Sequence, residues 1–126
     1  MTSPRFASIR IITDDVDRLA AFYATVTGLE PERPAPVFAA FRSGDATLAI
    51  GATATVGMLP PGTLTPGANS SVIVEFQVDD VDAEYARLKD ELDDWVLEPT
   101  SMPWGNRSAL VRDPDGNVVN LFAPLS

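Results

Sequence analysis

Two stretches of the chain carry the same order of apolar and polar positions. Residues 11–23, IITDDVDRLAAFY, recur in outline as residues 76–88, FQVDDVDAEYARL, so the chain contains an internal repeat. In each copy an apolar run ends in Asp-Asp-Val-Asp. An Asp there caps the orphan N–H groups of a following helix, and the other carboxylates sit at the positive end of its dipole. Apolar positions then recur at helical spacing, at Val16, Leu19, Ala20, Tyr23 and Val26 in the first copy and at Val81, Tyr85, Leu88 and Leu92 in the second. The pattern predicts a strand followed by a capped helix, twice, with both stripes in the core.

Gly28 suits the C-cap of the first helix, and Pro31, Pro34 and Pro36 keep that helix from continuing. Residues 37–42 and 46–50 read as two strands joined at Ser43-Gly44-Asp45. Their counterparts are 107–112 and 117–122, joined by Asp113-Pro114-Asp115-Gly116, with Pro and Gly where a type I turn takes them. A fourth strand per half, near 29–33 and 95–99, contains Pro and therefore belongs at a sheet edge. The predicted fold class is α+β: a first module over about 5–50, a second over about 72–124, and between them a linker over 51–71 with four Gly and three Pro. A connection of that length closes over a binding site, lets halves exchange between subunits, or is a plain mobile linker.

The 126 residues, 45% hydrophobic, suit a single domain spanning 1–126. There is no Cys and no His, which removes thiolate and imidazole chemistry: no Ser-His-Asp or Cys-His catalysis, and no His- or Cys-ligated metal. A net charge of −9 repels phosphate backbones and anionic membranes and excludes nucleic acid as the expected partner; it either raises the local concentration of cationic small molecules or serves solubility alone. The start has no apolar signal core and no later run approaches a membrane span, so the expected location is cytoplasmic. Eight Arg against one Lys fits a GC-rich bacterial source.

Alternation along the strands sorts side chains into two faces. Ile9 and Ile11 share one with Val72, Val74, Phe76, Val78, Val119 and Leu121, which pack on the helices. The other face holds Ser8, Arg10 and Ile12 in the first copy, Ile73, Glu75 and Gln77 in the second, and Val118, Asn120 and Phe122 on the last strand. Polar residues isolated among apolar ones resemble the wall of a ligand-binding concavity. Arg10 and Glu75 occupy nearly equivalent positions in the two copies, as a structural ion pair or as ligand contacts. Trp104, in Met102-Pro103-Trp104-Gly105-Asn106-Arg107, either walls a pocket or covers the end of the core. Phe38, Phe41 and Trp95 are expected in the core. The candidate ligand-binding set is Ser8, Arg10, Glu75, Gln77, Trp104 and Asn120, with Glu75 and Arg10 as the only catalytic candidates.

The repeated units, with DDVDRLAAFYATVTGL in the first and PWGNR followed by DPDGNVVNLF in the second, resemble the vicinal oxygen chelate superfamily of glyoxalases, bleomycin-resistance proteins and extradiol dioxygenases. That resemblance implies paired βαβββ modules forming a cupped mixed sheet, helices on its outer face, and usually a homodimer. Family enzymes hold a metal through His or Glu on the strands; the matching positions here are Ser8, Ala49, Ile73 and Asn120, none a usual ligand, so no metal and no cofactor are expected. The resemblance is nearest in character to metal-free bleomycin-resistance members, acidic dimers that sequester a cationic antibiotic. The expected function is metal-independent small-molecule binding. The alternative is a glyoxalase-like, lyase-like or isomerase-like enzyme acting on a small metabolite without the usual metal, with Glu75 as base and Arg10 stabilising negative charge.

Overall fold

Asp15 and Asp80 open the two helices in the same way. In the computed structural model, which describes residues 3–125, Asp15 Oδ1 accepts from the Arg18 N–H at 3.0 Å and Asp80 Oδ1 from the Ala83 N–H at 3.1 Å. These caps start α1 (Val16–Thr27) and α2 (Val81–Leu88). Gly28 ends α1 in the left-handed conformation, at φ 71°, where a side chain would be strained.

The first module builds a mixed sheet from β1 (Ile9–Thr13), β2 (Glu32–Ala35), β3 (Phe38–Ser43) and β4 (Ala46–Ala52), in the order β1-β4-β3-β2. The second repeats it with β5 (Ile73–Gln77), β6 (Trp95–Ser101), β7 (Asn106–Arg112) and β8 (Val118–Pro124), in the order β5-β8-β7-β6. In both, the first strand runs parallel to the last and the other pairings are antiparallel. The Pro-bearing segments form the edge strands β2 and β6, as their composition requires. The chain divides into two compact units, with the boundary between Gly67 and Ala68 inside the linker. No helix among the described residues is long and apolar enough to cross a membrane.

Each helix covers one face of its own sheet. Val16, Leu19, Ala20, Tyr23 and Val26 are all buried, and the Tyr23 ring meets Phe41 of β3 at 6.3 Å. In the second module Val81 and Leu88 are buried with Val111, Val119 and Leu121. Three expectations shift. Leu92 lies beyond α2, which stops at Leu88, although its N–H still bonds the Leu88 carbonyl at 3.0 Å. Tyr85, Trp95 and Phe38 are half-buried rather than core. Tyr85 and Trp95 pack edge to face at 4.8 Å, with the phenol donating to Glu98 Oε1 and the indole N–H to the Leu92 carbonyl, so each has a partner for its polar end. Finally, β4 runs on to Ala52 and is followed by a 3₁₀ turn, Thr53–Val56.

The turn at 113–116 is the expected type, with the Gly116 N–H bonded to the Asp113 carbonyl at 2.9 Å. Buried Asp113 also accepts from the N–H groups of Asp115 and Asn117 and from Asn117 Nδ2. Asn117 Oδ1 in turn accepts from Asn69 Nδ2 at 3.1 Å, which fastens the end of the linker to this turn.

An Asp in the first turn of each helix is bonded to an Arg of the sheet: Asp17 to Arg33 at 2.9 Å, and Asp82 to Arg107 through two bonds of 2.8 Å. The Arg107 guanidinium holds the Asp82 carboxyl below its ordinary value of 3.8, chiefly through those bonds. A depressed carboxylate stabilises the fold above the unfolded pKa and loses that contribution as pH falls through the folded one. Urea unfolding of the wild type and Arg107→Gln at several pH values is expected to show a wild-type advantage at neutral pH that closes below about pH 3.8. A pH-independent gap would assign Arg107 a packing role instead.

Candidate functional site

The face of each sheet opposite its helix holds the residues with chemical potential. Strand register arranges them in rows, because cross-strand partners share a face. In the second module Glu75 lies opposite Asn120, and Asn120 opposite Leu110. In the first, Arg10 lies opposite Ala49, and Ala49 opposite Ala40. Counting from the capping residues Asp15 and Asp80, these rows are equivalent. The same place in the fold therefore holds Arg-Ala-Ala in one module and Glu-Asn-Leu in the other.

Glu75 and Asn120 are joined directly. Asn120 Nδ2 donates to Glu75 Oε2 at 2.9 Å. Glu75 is exposed on an edge strand, whereas Asn120 is only 9% exposed, and its Oδ1 is buried without a hydrogen-bond partner. Gln77, also exposed, pairs with Phe122 in the adjacent row. Trp104 is 73% exposed in the β6–β7 turn, so it does not cover the core. That turn lies beside the end of β8, since Asn106 pairs with Pro124. Trp104 is thus displaced from Asn120 by about 13 Å along the strand, the length of four residues at about 3.3 Å each.

Ser8 and Arg10 belong to the first unit. Ser8 is exposed and immediately precedes β1; Arg10 is exposed on β1. The Arg10 stem lies over Gly51: a Cβ at Gly51 would stand 3.2 Å from Arg10 Cδ and 2.7 Å from Thr55 Oγ1, which itself donates to the Ala52 carbonyl at 2.7 Å. The missing Cβ lets the 3₁₀ turn fold back against the strand. Just beyond it, Ile12, Val56, Leu59, Pro60 and Leu64 help line a cleft of roughly 230 Å³ within the first unit. Sequence reading gave the linker as one segment and missed this cleft; the signal was the run of Leu59, Pro60, Pro61 and Leu64, apolar side chains with no regular element to bury them.

The donor set at the expected metal positions is one hydroxyl, one amide and two hydrocarbons, from Ser8, Asn120, Ala49 and Ile73. Such a set does not fit a catalytic divalent ion, which needs carboxylates or imidazoles. Glu75 shares a row with Asn120 but adds a single carboxylate. Among the described residues no group of three or more His, Cys, Asp or Glu could hold a metal ion.

The family model described as Glyoxalase/Bleomycin resistance protein/Dioxygenase superfamily matches residues 5–121. Among solved structures, the chain is similar to a glyoxalase/bleomycin resistance protein/dioxygenase from Nocardioides, with 23% identity, TM-score 0.79, and coverage of 100% of this chain and 87% of that one. It is also similar to a glyoxalase/bleomycin resistance protein/dioxygenase family enzyme from Burkholderia phytofirmans PsJN, with 21% identity, TM-score 0.81 and coverage of 94% and 98%. A third is a lactoylglutathione lyase from Agrobacterium tumefaciens, with 25% identity, TM-score 0.72 and coverage of 98% and 96%. None of the curated proteins matches.

Gly51→Ala tests the seat of Arg10 and the 3₁₀ turn. The added methyl displaces Thr55 Oγ1 and is expected to destabilise the protein by about 1 to 3 kcal/mol in chemical denaturation, the usual cost of overpacking. Unchanged stability would show that the turn yields freely.

Proposed function

The chain belongs to the Glyoxalase/Bleomycin resistance protein/Dioxygenase superfamily, and we propose that it serves there as a metal-independent small-molecule binder, sequestering a cationic antibiotic or related natural product. The observation that carries this reading is the makeup of the helix-free rows. Ala49 and Ile73 stand where ligating side chains would be needed, while Glu75 and Asn120 keep a polar, hydrogen-bonded pair on the same kind of surface. Binding needs such anchors within apolar surroundings; metal chemistry needs the ligands that are missing. The net charge of −9 favours a cationic guest.

The proposal includes a homodimer in the cytoplasm. Supporting it, β1 and β5 are edge strands of their own sheets, and Ile9 and Ile73 on them are 49% and 53% exposed. Apolar edges of this kind are normally covered by another strand or chain.

A second reading, lyase-like or isomerase-like catalysis, draws on the bond from Asn120, which orients the Glu75 carboxylate as a general base requires. The two readings separate on Glu75→Gln. Catalysis predicts lost turnover with binding spared; sequestration predicts weakened binding and no turnover in either protein.

In a thermal-shift experiment with cationic natural products, and with divalent metals with and without chelator, a cationic ligand at 100 times its Kd is expected to add about 2.7 kcal/mol, or roughly ten degrees. Metals are expected to leave the transition unmoved. A metal-dependent shift reversed by chelator would overturn the reading. For a ligand long enough to reach the β6–β7 turn, Trp104→Ala is expected to weaken binding by about 1 to 3 kcal/mol in calorimetric titration; unchanged affinity would remove Trp104 from the site.

A further inference from the structure

We propose that the helix-free face of the second module recognises a planar cation with two N–H donors, such as an amidinium, guanidinium or aminated heterocycle, carried on an apolar body, through the acceptor edge formed by Glu75 and Asn120. The inference rests on the small-molecule reading above and names the chemistry of its ligand.

Asn120 is more than nine-tenths buried, yet its Oδ1 has no partner. The amide cannot be turned to relieve this, because the bond from Nδ2 to Glu75 Oε2 would then set an amide oxygen against a carboxylate. The orientation is fixed by charge, and it leaves Oδ1 as an acceptor without a donor on an amide that is itself bonded to the Glu75 carboxylate. Leu110, opposite Asn120, and Val118 and Phe122, two residues either side of it, offer no side-chain donor. A buried acceptor without a donor is unfavourable and calls for an explanation.

The fold itself does not require the pair. The equivalent row of the first module is Arg10, Ala49 and Ala40, where the central position is a buried alanine with nothing to satisfy. The acceptor edge is therefore particular to the second module. Its chemistry selects among cations. One carboxylate and one amide fall well short of the six or more oxygens a hard divalent ion takes. An ammonium is compact and strongly hydrated, and it would hold water against Leu110 and Phe122. An amidinium or guanidinium offers parallel N–H groups to two neighbouring acceptors, is more weakly hydrated, and presents flat faces to the apolar flank.

The test uses the full chain, labelled with ¹⁵N, titrated with benzamidine and, separately, with benzamide as the neutral counterpart of the same shape. The expected result is a saturable shift of the Asn120 side-chain amide signal and an affinity for benzamidine about tenfold or more above that for benzamide. Glu75→Gln, at an exposed position, is expected to erase most of that preference, and Asn120→Leu to weaken benzamidine by about tenfold. Equal affinities for the two probes, or benzamidine binding that survives Glu75→Gln undiminished, would overturn the inference. Should Asn120→Leu not fold, Glu75→Gln decides alone. If neutral natural products bind while benzamidine does not, the inference fails and the small-molecule reading stands; if no small molecule in either experiment binds, both fail.

Discussion

Parallel pairing between the first and last strand of each module governs the remainder of the structure. A parallel pair cannot be closed by a tight turn, so the chain must cross over before returning. Here the crossover contains the helix and the two intervening strands, and its helix packs on one face of the sheet. The opposite face of each sheet has no helix of its own module to cover it. The parallel registers also place Arg10 beside Ala49 and Glu75 beside Asn120. Moving either register by one residue would carry the row to the helix side, where Val119 and Leu121 are buried.

The helix ends show how much of this architecture is local. Asp15, Asp80 and Gly28 act at single residues through a cap or a positive φ, and the turn from Asp113 to Gly116 likewise depends on its own four residues. Such features are legible in a sequence because no distant partner decides them. Legibility fails where tertiary contacts compete with periodicity. Leu92 continues the apolar spacing of α2, but the helix stops at Leu88 and Trp95 takes the Leu92 carbonyl. In β6 the register shifts between Trp95 and Leu97 and again between Leu97 and Thr100, so simple alternation no longer reports which face a side chain joins.

The candidate site was legible in part for the same reason. Alternation alone puts Glu75, Gln77 and Asn120 on the face away from the helix, and the structure agrees. What alternation cannot supply is register, the quantity that turns Glu75 and Asn120 from two members of a face into a bonded pair. Trp104 shows the same limit: its residue type fits a binding wall, and only the register places the hairpin that carries it near Pro124, well along β8 from Asn120. The seat of Arg10 depends on the absence of an atom at Gly51, which has ordinary φ and so carries no turn signal in the sequence.

The duplicated architecture makes its own control for the energetics. A buried polar atom without a partner costs about 1 to 3 kcal/mol, against a total stability of about 5 to 15 kcal/mol for a domain. The Oδ1 of Asn120 is such an atom, and the matching row in the first module shows that alanine fills the central position without that penalty. Strand order and the pairing of this row are the same in both modules, so neither explains the amide. Local departures from the rules that stabilise a fold concentrate where a surface has work beyond folding. The two halves of this chain have diverged in that sense: the first row is a floor of small side chains beneath an arginine, while the second retains an unsatisfied acceptor beside a carboxylate. The second row is therefore the one whose chemistry the fold leaves unaccounted for, a buried acceptor without a donor bonded through its own amide to an exposed carboxylate.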